Sequence, residues 1–233
     1  MKVHRCAFLV KHYRHIVWDW NGTLLDDVQA SVNAINHLLA LRSLPPTDPD
    51  RYRETFGFPV RNYYSAIGFR LESEDWDALA RDYHNLFLAD PSIRVRPEAA
   101  PVLQFCRDAG LALSVLSASE QSILERMCTD GGLAHHFQHI QGVDNLHGRS
   151  KAETGRQLLH RIPCPARAIL FVGDTLHDYE VSNALGCDCV LIAQGHQTHA
   201  RLLAAGCPVI DSLADFPNFL KKPSATPDST HPS

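Results

Sequence analysis

Six short apolar runs, rich in Val, Ile and Leu, occur along the chain without a regular alternation of polar positions. This pattern is typical of strands that are covered on both faces. Helical patterns separate the later runs, and two of these helices are followed by Gly110 and Gly186. The alternation predicts a doubly wound, mostly parallel α/β sheet. The predicted strands cover residues 15–20, 111–117, 139–143, 168–174, 188–194 and 208–212.

A long segment separates the first predicted strand from the second. It is far longer than a single crossover helix requires, which indicates an insertion. Apolar residues recur with helical spacing over residues 27–42 and 73–90, and Ser73 is the predicted N-cap of the second helix. The C-terminal tail is polar and proline-rich. We predict a core domain (1–25 and 96–216), an all-helical cap (26–95) and a disordered tail (217–233).

The composition excludes several classes of protein. Hydrophobic residues make up 45% and charged residues 21% of the 233 positions, as in an ordinary soluble globular protein. A net charge of −4 offers no basic face for nucleic acid. No apolar run reaches the ~18 residues that a membrane span requires, and no signal peptide is apparent. We expect a cytoplasmic monomer or homodimer, with no membrane partner, whose seven cysteines are reduced.

Residues capable of chemistry follow three of the predicted strands. Asp19, Ser117 and Asp174 end these strands, Asp178 follows Asp174 by one helical turn, and Lys151 begins a helix. In doubly wound sheets, reactive groups gather beyond the carboxyl ends of the strands. Ser and Asp are also common helix caps, so each residue alone has a structural explanation. Capping does not explain the set of five together.

These residue types suit phosphoryl transfer through a covalent intermediate. An aspartate at the end of a strand can attack phosphorus and become an aspartyl-phosphate. Converging carboxylates attract a hard cation such as Mg²⁺. A hydroxyl and a lysine ammonium can hold the remaining phosphoryl oxygens. Gly22 would let the backbone pass close to the phosphate, and Thr23 would supply another hydrogen-bond donor.

Four ordered motifs resemble those of the haloacid dehalogenase superfamily: "VWDWNGTL", "LSVLSAS", Lys151 and "FVGDTLHD". The helical insert resembles that of phosphoglycolate-phosphatase-like members. The resemblance implies a Rossmann-like core and hydrolysis of a small phosphorylated metabolite. It also implies roles for individual residues: Asp19 as nucleophile; Asp19, Asp174 and the main-chain carbonyl of Asn21 as Mg²⁺ ligands; Asp178 as support for the metal site or Lys151; Ser117, Ala118 and Lys151 as phosphate contacts.

Asn21 departs from this family pattern. The family's first motif is DxDGT, and its second aspartate protonates the leaving group and then activates water. Asparagine cannot carry that proton, and general acid–base help is typically worth ~10² to 10⁴ in rate. The protein could act on activated phosphates, or Asp26, Asp27 or His177 could replace the missing acid. It could also be a catalytically silent protein that binds a phosphorylated ligand or regulates a partner.

The insert is expected to close over the site as a lid and to determine the substrate. Within residues 54–64, Arg61 is the predicted clamp for an anionic group of the substrate, and the aromatic residues are expected to pack the cap. No lysine occurs between Lys11 and Lys151. The insert therefore cannot supply a Schiff-base amine, which excludes a phosphonatase-type mechanism.

Overall fold

A six-stranded parallel sheet forms the centre of the computed structural model, which describes residues 13–144 and 151–221. The strands are β1 His15–Trp18, β2 Leu25–Asp26, β3 Arg94–Val95, β4 Ala112–Glu120, β5 His139–Val143, β6 Ile169–Gly173, β7 Asp188–Ile192 and β8 Val209–Ile210. The order in the sheet is β5-β4-β1-β6-β7-β8, and every neighbouring pair is parallel. β2 and β3 form a separate antiparallel pair. All six predicted strands are present, and the predicted fold class is confirmed.

Helices cover both faces of this sheet, and further helices form the insert. They are α1 Val28–Ala40, α2 Pro49–Thr55, α3 Val60–Ala66, α4 Trp76–Leu88, α5 Ala99–Asp108, α6 Gln121–Asp130, α7 Lys151–Arg161, α8 Leu176–Leu185, α9 His199–Leu202 and α10 Phe216–Lys221. None of these helices, all within the described residues, is long and apolar enough to cross a bilayer.

The sheet is buried on both faces, which explains the continuous apolar runs. In β1, Ile16 and Trp18 belong to one hydrophobic cluster, whereas Val17 belongs to the cluster on the opposite face. In β6, Val172 belongs to the cluster of Ile16 and Trp18, and Phe171 belongs to the cluster of Val17. Successive side chains of a strand point to opposite faces, so a strand covered on both sides has no polar positions to alternate.

The insert is helical, as predicted, and has its own hydrophobic core. Helices α1 to α4 lie between β2 and β3 in sequence. Their buried residues, including Leu38, Tyr52, Tyr63 and Tyr64, form a cluster separate from those of the sheet. Helix α1 packs against α2 and α4. The short β2–β3 pair lies at the point where the chain leaves the core and returns to it.

Two predicted boundaries are wrong. Ser73 does not cap the second insert helix, because Asp75 accepts hydrogen bonds from the amides of the first turn of α4. The predicted disorder is also wrong for residues 217–221, which belong to α10. Phe216 and Leu220 lie one helical turn apart and are both buried, so this helix is anchored to the core. Residues 222–233 of the predicted tail lie outside the described residues.

Candidate active site

The topology brings the ends of three strands together. β1 lies between β4 and β6, and Trp18 is level with Val115 on one side and Val172 on the other. The amide of Asp19 donates a hydrogen bond to the carbonyl of Val172 (2.8 Å). Ser117 and Asp174 therefore lie beside Asp19 at the same edge of the sheet. β4 continues beyond Ser117, which is a residue within the strand and not its predicted last one.

Three buried carboxylates form the centre of the site. Asp19, Asp174 and Asp178 each offer an oxygen, and these atoms lie within 4.8 Å of one another. Asp178 is fixed at the start of α8, where it forms a capping box with Thr175. Carboxylates confined at this distance repel one another and are stabilised by a cation. Oxygen ligands in this number suit Mg²⁺, so the residues present fit the metal that the family resemblance implies.

Lys151 is the cation that the structure places among these carboxylates. It begins helix α7, as predicted, and its side chain is buried. Nζ donates to Asp19 Oδ1 and to Asp178 Oδ1, the latter at 2.6 Å. One ammonium faces three carboxylates, so negative charge remains for a divalent ion to neutralise.

Burial controls the protonation of the three carboxyl groups. It raises the pKa of Asp19 to about 8, aided by the charges of Asp178 and Asp174 and opposed by Lys151. Burial likewise raises the pKa of Asp174 to about 6, against the opposing charge of His196. Burial also disfavours ionisation of Asp178, but its contacts with Lys151 outweigh burial and keep its pKa below the ordinary value.

Gly22 and Thr23, two of the predicted substrate contacts, lie against the carboxylates of the site. Thr23 Oγ lies 3.3 Å from Asp19 Oδ2 and 3.2 Å from Asp174 Oδ1, so its hydroxyl orients both carboxylates. Gly22 has φ of 73°, and a Cβ atom there would overlap Asp174. The buried guanidinium of Arg96 donates to the carbonyls of both residues. These contacts favour a positioning role for Gly22 and Thr23.

The side-chain amide of Asn21 donates a hydrogen bond to a carboxylate on one side and accepts hydrogen bonds from serine hydroxyls on the other. Nδ2 donates to Asp27 Oδ2 (2.7 Å), whereas Oδ1 accepts from Ser119 Oγ (2.8 Å) and Ser117 Oγ (3.4 Å). A carboxylate only accepts hydrogen bonds, so Asp27 determines which way the amide faces. Asn21 is therefore a hydrogen-bonding element of the site, although it cannot transfer a proton.

A buried ion pair behind Asn21 was missed by sequence reasoning. His196 Nε2 lies 3.2 Å from Asp27 Oδ1, and its Nδ1 lies 3.0 Å from the hydroxyl of Tyr52. Burial opposes a charge on His196, but Asp27 raises its pKa to about 9. Asp27 has a lowered pKa because the contacts with His196 and Asn21 outweigh its burial. His196 follows β7, so the rule that places chemistry after strands could have identified it.

The predicted substitutes for the missing acid lie in three different surroundings. Asp26 forms an ion pair with Arg94 on the β2–β3 ribbon and does not line the central cavity. Asp27 does line the cavity, but both of its oxygens already accept hydrogen bonds. His177 lines the cavity with its ring stacked on Phe58 at 4.5 Å.

A cavity of about 290 Å³ extends from the carboxylates into the insert. Ser117, Ala118 and Lys151, the predicted phosphate contacts, line it. Arg61 does not line it. Its exposed guanidinium lies over the ring of Trp76 at 4.8 Å, so the predicted anion clamp is not part of the site. The aromatic residues on the insert side are Tyr52, Phe56, Phe58, Tyr63, Tyr64, Trp76, Tyr83 and Phe87.

Loop contacts hold the insert against the core at this cavity. Arg53 of α2 donates to the carbonyl of Gly195 (3.0 Å). Gln197 and Arg201 in turn donate to the carbonyl of Phe56, at 3.0 and 2.7 Å. These bonds and the contact between Tyr52 and His196 join the insert to the segment after β7. The site is therefore covered by the insert.

Comparison with known proteins identifies the family. The profile of haloacid dehalogenase-like hydrolases matches residues 16–192. The chain belongs to this family. A phosphoglycolate phosphatase of Chromobacterium violaceum is 26% identical over 91% of this chain and 98% of its own length. The probable phosphatase IndB of Dickeya dadantii is also 26% identical, over 84% of this chain and 87% of its own length. A haloacid dehalogenase-like protein of Streptococcus pneumoniae shares the fold, with a TM-score of 0.77 and 18% identity over 89% of this chain and 98% of that protein.

Asn21 can be tested as a partner of Asp27 in this haloacid dehalogenase-like protein. We expect Asn21→Asp to lower the free energy of unfolding by about 2–3 kcal/mol at pH 8, because it replaces a charge-assisted hydrogen bond by contact between two carboxylates. The double variant Asn21→Asp with Asp27→Asn, in which the two side chains are exchanged, should recover part of the lost free energy of unfolding. Urea denaturation at equilibrium measures both effects.

A matched control lies on the surface of the insert. Asn33 Nδ2 donates to Asp90 Oδ2 at 2.8 Å, where both side chains face solvent. Asn33→Asp makes the same chemical change, and we expect a cost below about 1 kcal/mol because solvent screens exposed charges. Equal losses for Asn21→Asp and Asn33→Asp would contradict the buried contact between Asn21 and Asp27.

Proposed function

We propose that this haloacid dehalogenase-like hydrolase is an Mg²⁺-dependent phosphatase that acts through an aspartyl-phosphate on Asp19. The observation that carries the proposal is the convergence of Asp19, Asp174 and Asp178 with Lys151 at one end of a covered cavity. The relatives named as phosphatases support the same activity for this chain. Its substrate would be a small phosphorylated metabolite.

Each residue has a role that its contacts support. Asp19 would attack phosphorus, held in position by Lys151 and Thr23. The leaving oxygen departs with the electron pair of its bond to phosphorus. Ser117 and Lys151 would hold phosphoryl oxygens as their charge develops. Water then attacks the phosphorus of the aspartyl-phosphate, which regenerates the carboxylate and releases inorganic phosphate.

The carboxylates of Asp19 and Asp174 and the main-chain carbonyl of Asn21 are the proposed Mg²⁺ ligands, with Asp178 in support. When bound, Mg²⁺ would neutralise charge on the carboxylates and the phosphoryl oxygens. Asp178 also holds Lys151, so it couples the proposed metal site to the phosphate contacts. His196 supports Asp174 through a main-chain hydrogen bond of 2.6 Å.

Asn21 limits the proposed reaction to substrates with good leaving groups. One hydrogen of its amide is bound to Asp27, and its other hydrogen can donate to the leaving oxygen without transferring a proton. An acyl phosphate needs no acid, because its carboxylate departs readily. We therefore propose that activated phosphates react faster than esters of ordinary alcohols.

Removal of divalent metal tests this proposal. We expect EDTA to reduce release of inorganic phosphate from acetyl phosphate by at least about 10²-fold, because the carboxylates would lack their neutralising ion. Excess Mg²⁺ should restore the rate. Acetyl phosphate hydrolysis that is absent with Mg²⁺ would favour a silent phospho-ligand binder, and hydrolysis that is indifferent to EDTA would refute metal dependence.

A further inference from the structure

The cavity carries little positive charge beyond the carboxylate cluster. Among the described residues that line it, Lys151 is the one lysine or arginine, and it already contacts Asp19 and Asp178. Arg61 lies outside the cavity, over Trp76. A substrate such as phosphoglycolate carries a carboxylate in addition to its phosphate. The described walls offer that carboxylate no arginine or free lysine with which to pair.

The histidines of the cavity do not supply the missing charge. Burial lowers the pKa of His84, so its ring is neutral near pH 7. His196 is already paired with Asp27. His177 lies 3.3 Å from Glu180 and is stacked on an aromatic ring. The cavity therefore suits an uncharged group.

The insert side of the cavity is lined by aromatic side chains that suit a ring-shaped ligand group. The aromatic side chains there meet edge to face or stacked, with Tyr63 5.4 Å from Phe56 and Tyr64 5.5 Å from Trp76. Aromatic side chains bury large apolar surfaces and favour offset or edge contacts with further rings. A planar, uncharged ligand of similar size would complete this arrangement.

One hydroxyl in this aromatic wall lacks a partner. Tyr63 is 2% exposed, and its hydroxyl has no hydrogen-bond partner in the described structure. By contrast, the hydroxyls of Tyr52 and Tyr83 contact His196 and Ser31. Burial raises the pKa of Tyr63, so the hydroxyl keeps its proton and remains a donor. The hydroxyl oxygen is closed off from the cavity in this conformation, so a ligand acceptor reaches it only when the Tyr63 side chain turns towards the cavity. An unpaired buried donor is costly, and such a contact would satisfy it.

Asn21 independently restricts the leaving group. Its amide carries no acidic proton, and His177 is engaged with Glu180 and Phe58, so the proposed reaction assigns no general acid and the leaving oxygen departs as an anion. A phenol has a pKa of about 10, close to that of the tyrosine side chain, whereas an ordinary alcohol resembles water at about 15.7. A phenolate is therefore the better leaving group by several orders of magnitude. Its aromatic ring also matches the wall formed by the insert.

We propose that the substrates are phosphate monoesters of an uncharged phenol that carries a hydrogen-bond acceptor for Tyr63. This inference rests on the proposed phosphatase function. A carboxylate oxygen of Asp19 forms a bond to phosphorus, and the bond from phosphorus to the phenolic oxygen breaks. The phenolate leaves with that electron pair and takes its proton from solvent. Hydrolysis of the aspartyl-phosphate completes the cycle.

The first test compares three leaving groups under identical conditions with Mg²⁺. We expect kcat/KM for phenyl phosphate to exceed that for cyclohexyl phosphate and 2-phosphoglycolate by about 100-fold or more. Cyclohexyl phosphate has a ring of similar size with an alcohol leaving group, so it isolates the leaving-group effect. A 2-phosphoglycolate rate equal to or above that of phenyl phosphate would overturn the inference, as would equal rates for the two rings.

The second test assigns the role of Tyr63. Phosphates of 3- and 4-acetylphenol are compared with those of the isosteric isopropylphenols, in the natural protein and in Tyr63→Phe. We expect the acetyl-over-isopropyl ratio of kcat/KM to fall about 5-fold in the variant for at least one ring position, the loss of one neutral hydrogen bond. Comparison of this ratio between the natural protein and the variant cancels the difference in leaving-group reactivity. An unchanged ratio for both positions would refute the contact with Tyr63.

Acetyl phosphate separates failure of the inference from failure of the proposed function. It needs neither the aromatic wall nor an acid, so its Asp19-dependent hydrolysis reports on the phosphatase alone. If acetyl phosphate reacts but phenyl phosphate has no advantage over 2-phosphoglycolate, only the inference fails. Arg167→Gln serves as a control at an exposed arginine outside the cavity, and we expect it to leave every ratio within about 2-fold, as for most surface substitutions.

Discussion

Asp19→Asn is expected to reduce kcat for acetyl phosphate and phenyl phosphate by about 10⁴- to 10⁶-fold. An amide cannot form the acyl phosphate, and removal of a nucleophile has effects of this size in other hydrolases. Lys151 retains its contact with Asp178, so the surrounding hydrogen bonds are largely preserved. Steady-state phosphate release measures the loss, and residual turnover above about 10% would refute Asp19 as the nucleophile.

Asp19→Asn should not lower the free energy of unfolding, although it lowers kcat. Burial raises the pKa of Asp19 to about 8, above its ordinary value of 3.8. A raised carboxyl pKa favours the folded state at low pH, and this contribution is lost as pH rises towards 8. In metal-free protein at pH 8, Asp19→Asn should therefore be at least as stable as the natural chain. A large loss of stability would mean that the kinetic effect reports misfolding.

The control for this variant is a neighbouring carboxylate outside the cavity. Asp26 lies on the β2–β3 ribbon beside Arg94. Asp26 also lies 3.7 Å from the buried Arg96, which keeps its hydrogen bonds to the carbonyls of Gly22 and Thr23 when position 26 is an amide. We therefore expect Asp26→Asn to keep kcat within about 3-fold of the natural protein. A loss comparable to that of Asp19→Asn would indicate that Asp26 is an essential acid or base.

Lys151→Met is expected to damage both stability and catalysis. It removes the ammonium that contacts Asp19 and Asp178, and breaking a buried ion pair costs about 3–5 kcal/mol. It also removes a phosphate contact, which should lower kcat/KM by about 10²- to 10³-fold. Urea denaturation in EDTA and phosphate release with Mg²⁺ measure the two effects separately.

The loss of stability in Lys151→Met should depend on pH. Without the ammonium, the pKa of Asp19 rises further above 3.8, and that of Asp178 is no longer held down. In the natural protein the contribution of Asp19 already falls as pH rises towards 8, so Asp19 adds no pH dependence to the deficit below pH 8. Asp178 does, because burial without Lys151 favours its protonated form in the folded state, and the deficit should therefore grow between about pH 4 and pH 8. Lys151→Met with Asp178→Asn should lose less at pH 8 than the single variant. A deficit that is independent of pH would contradict unpaired carboxylates as its cause.

The sequence alone determined the sheet and the position of its reactive edge. Continuous apolar runs mark strands buried on both faces, and right-handed parallel connections place the ends of those strands together. Asp19 and Asp174 each follow a strand of one parallel sheet, so the sequence placed both at the same edge, and the structure shows that their strands are neighbours. Lys151 could be identified because it begins a helix in the expected order.

Only the tertiary structure decided what surrounds this edge. His196 pairs with Asp27 and contacts Tyr52, from which it is separated by 144 positions, and no local pattern encodes such a contact. The direction of Arg61 was likewise invisible, because the packing of α3 against Trp76 turns its guanidinium away from the cavity. Local periodicity determines which residues form strands and helices. The pairing of buried polar groups depends on how distant segments pack, and that packing determines the substrate pocket.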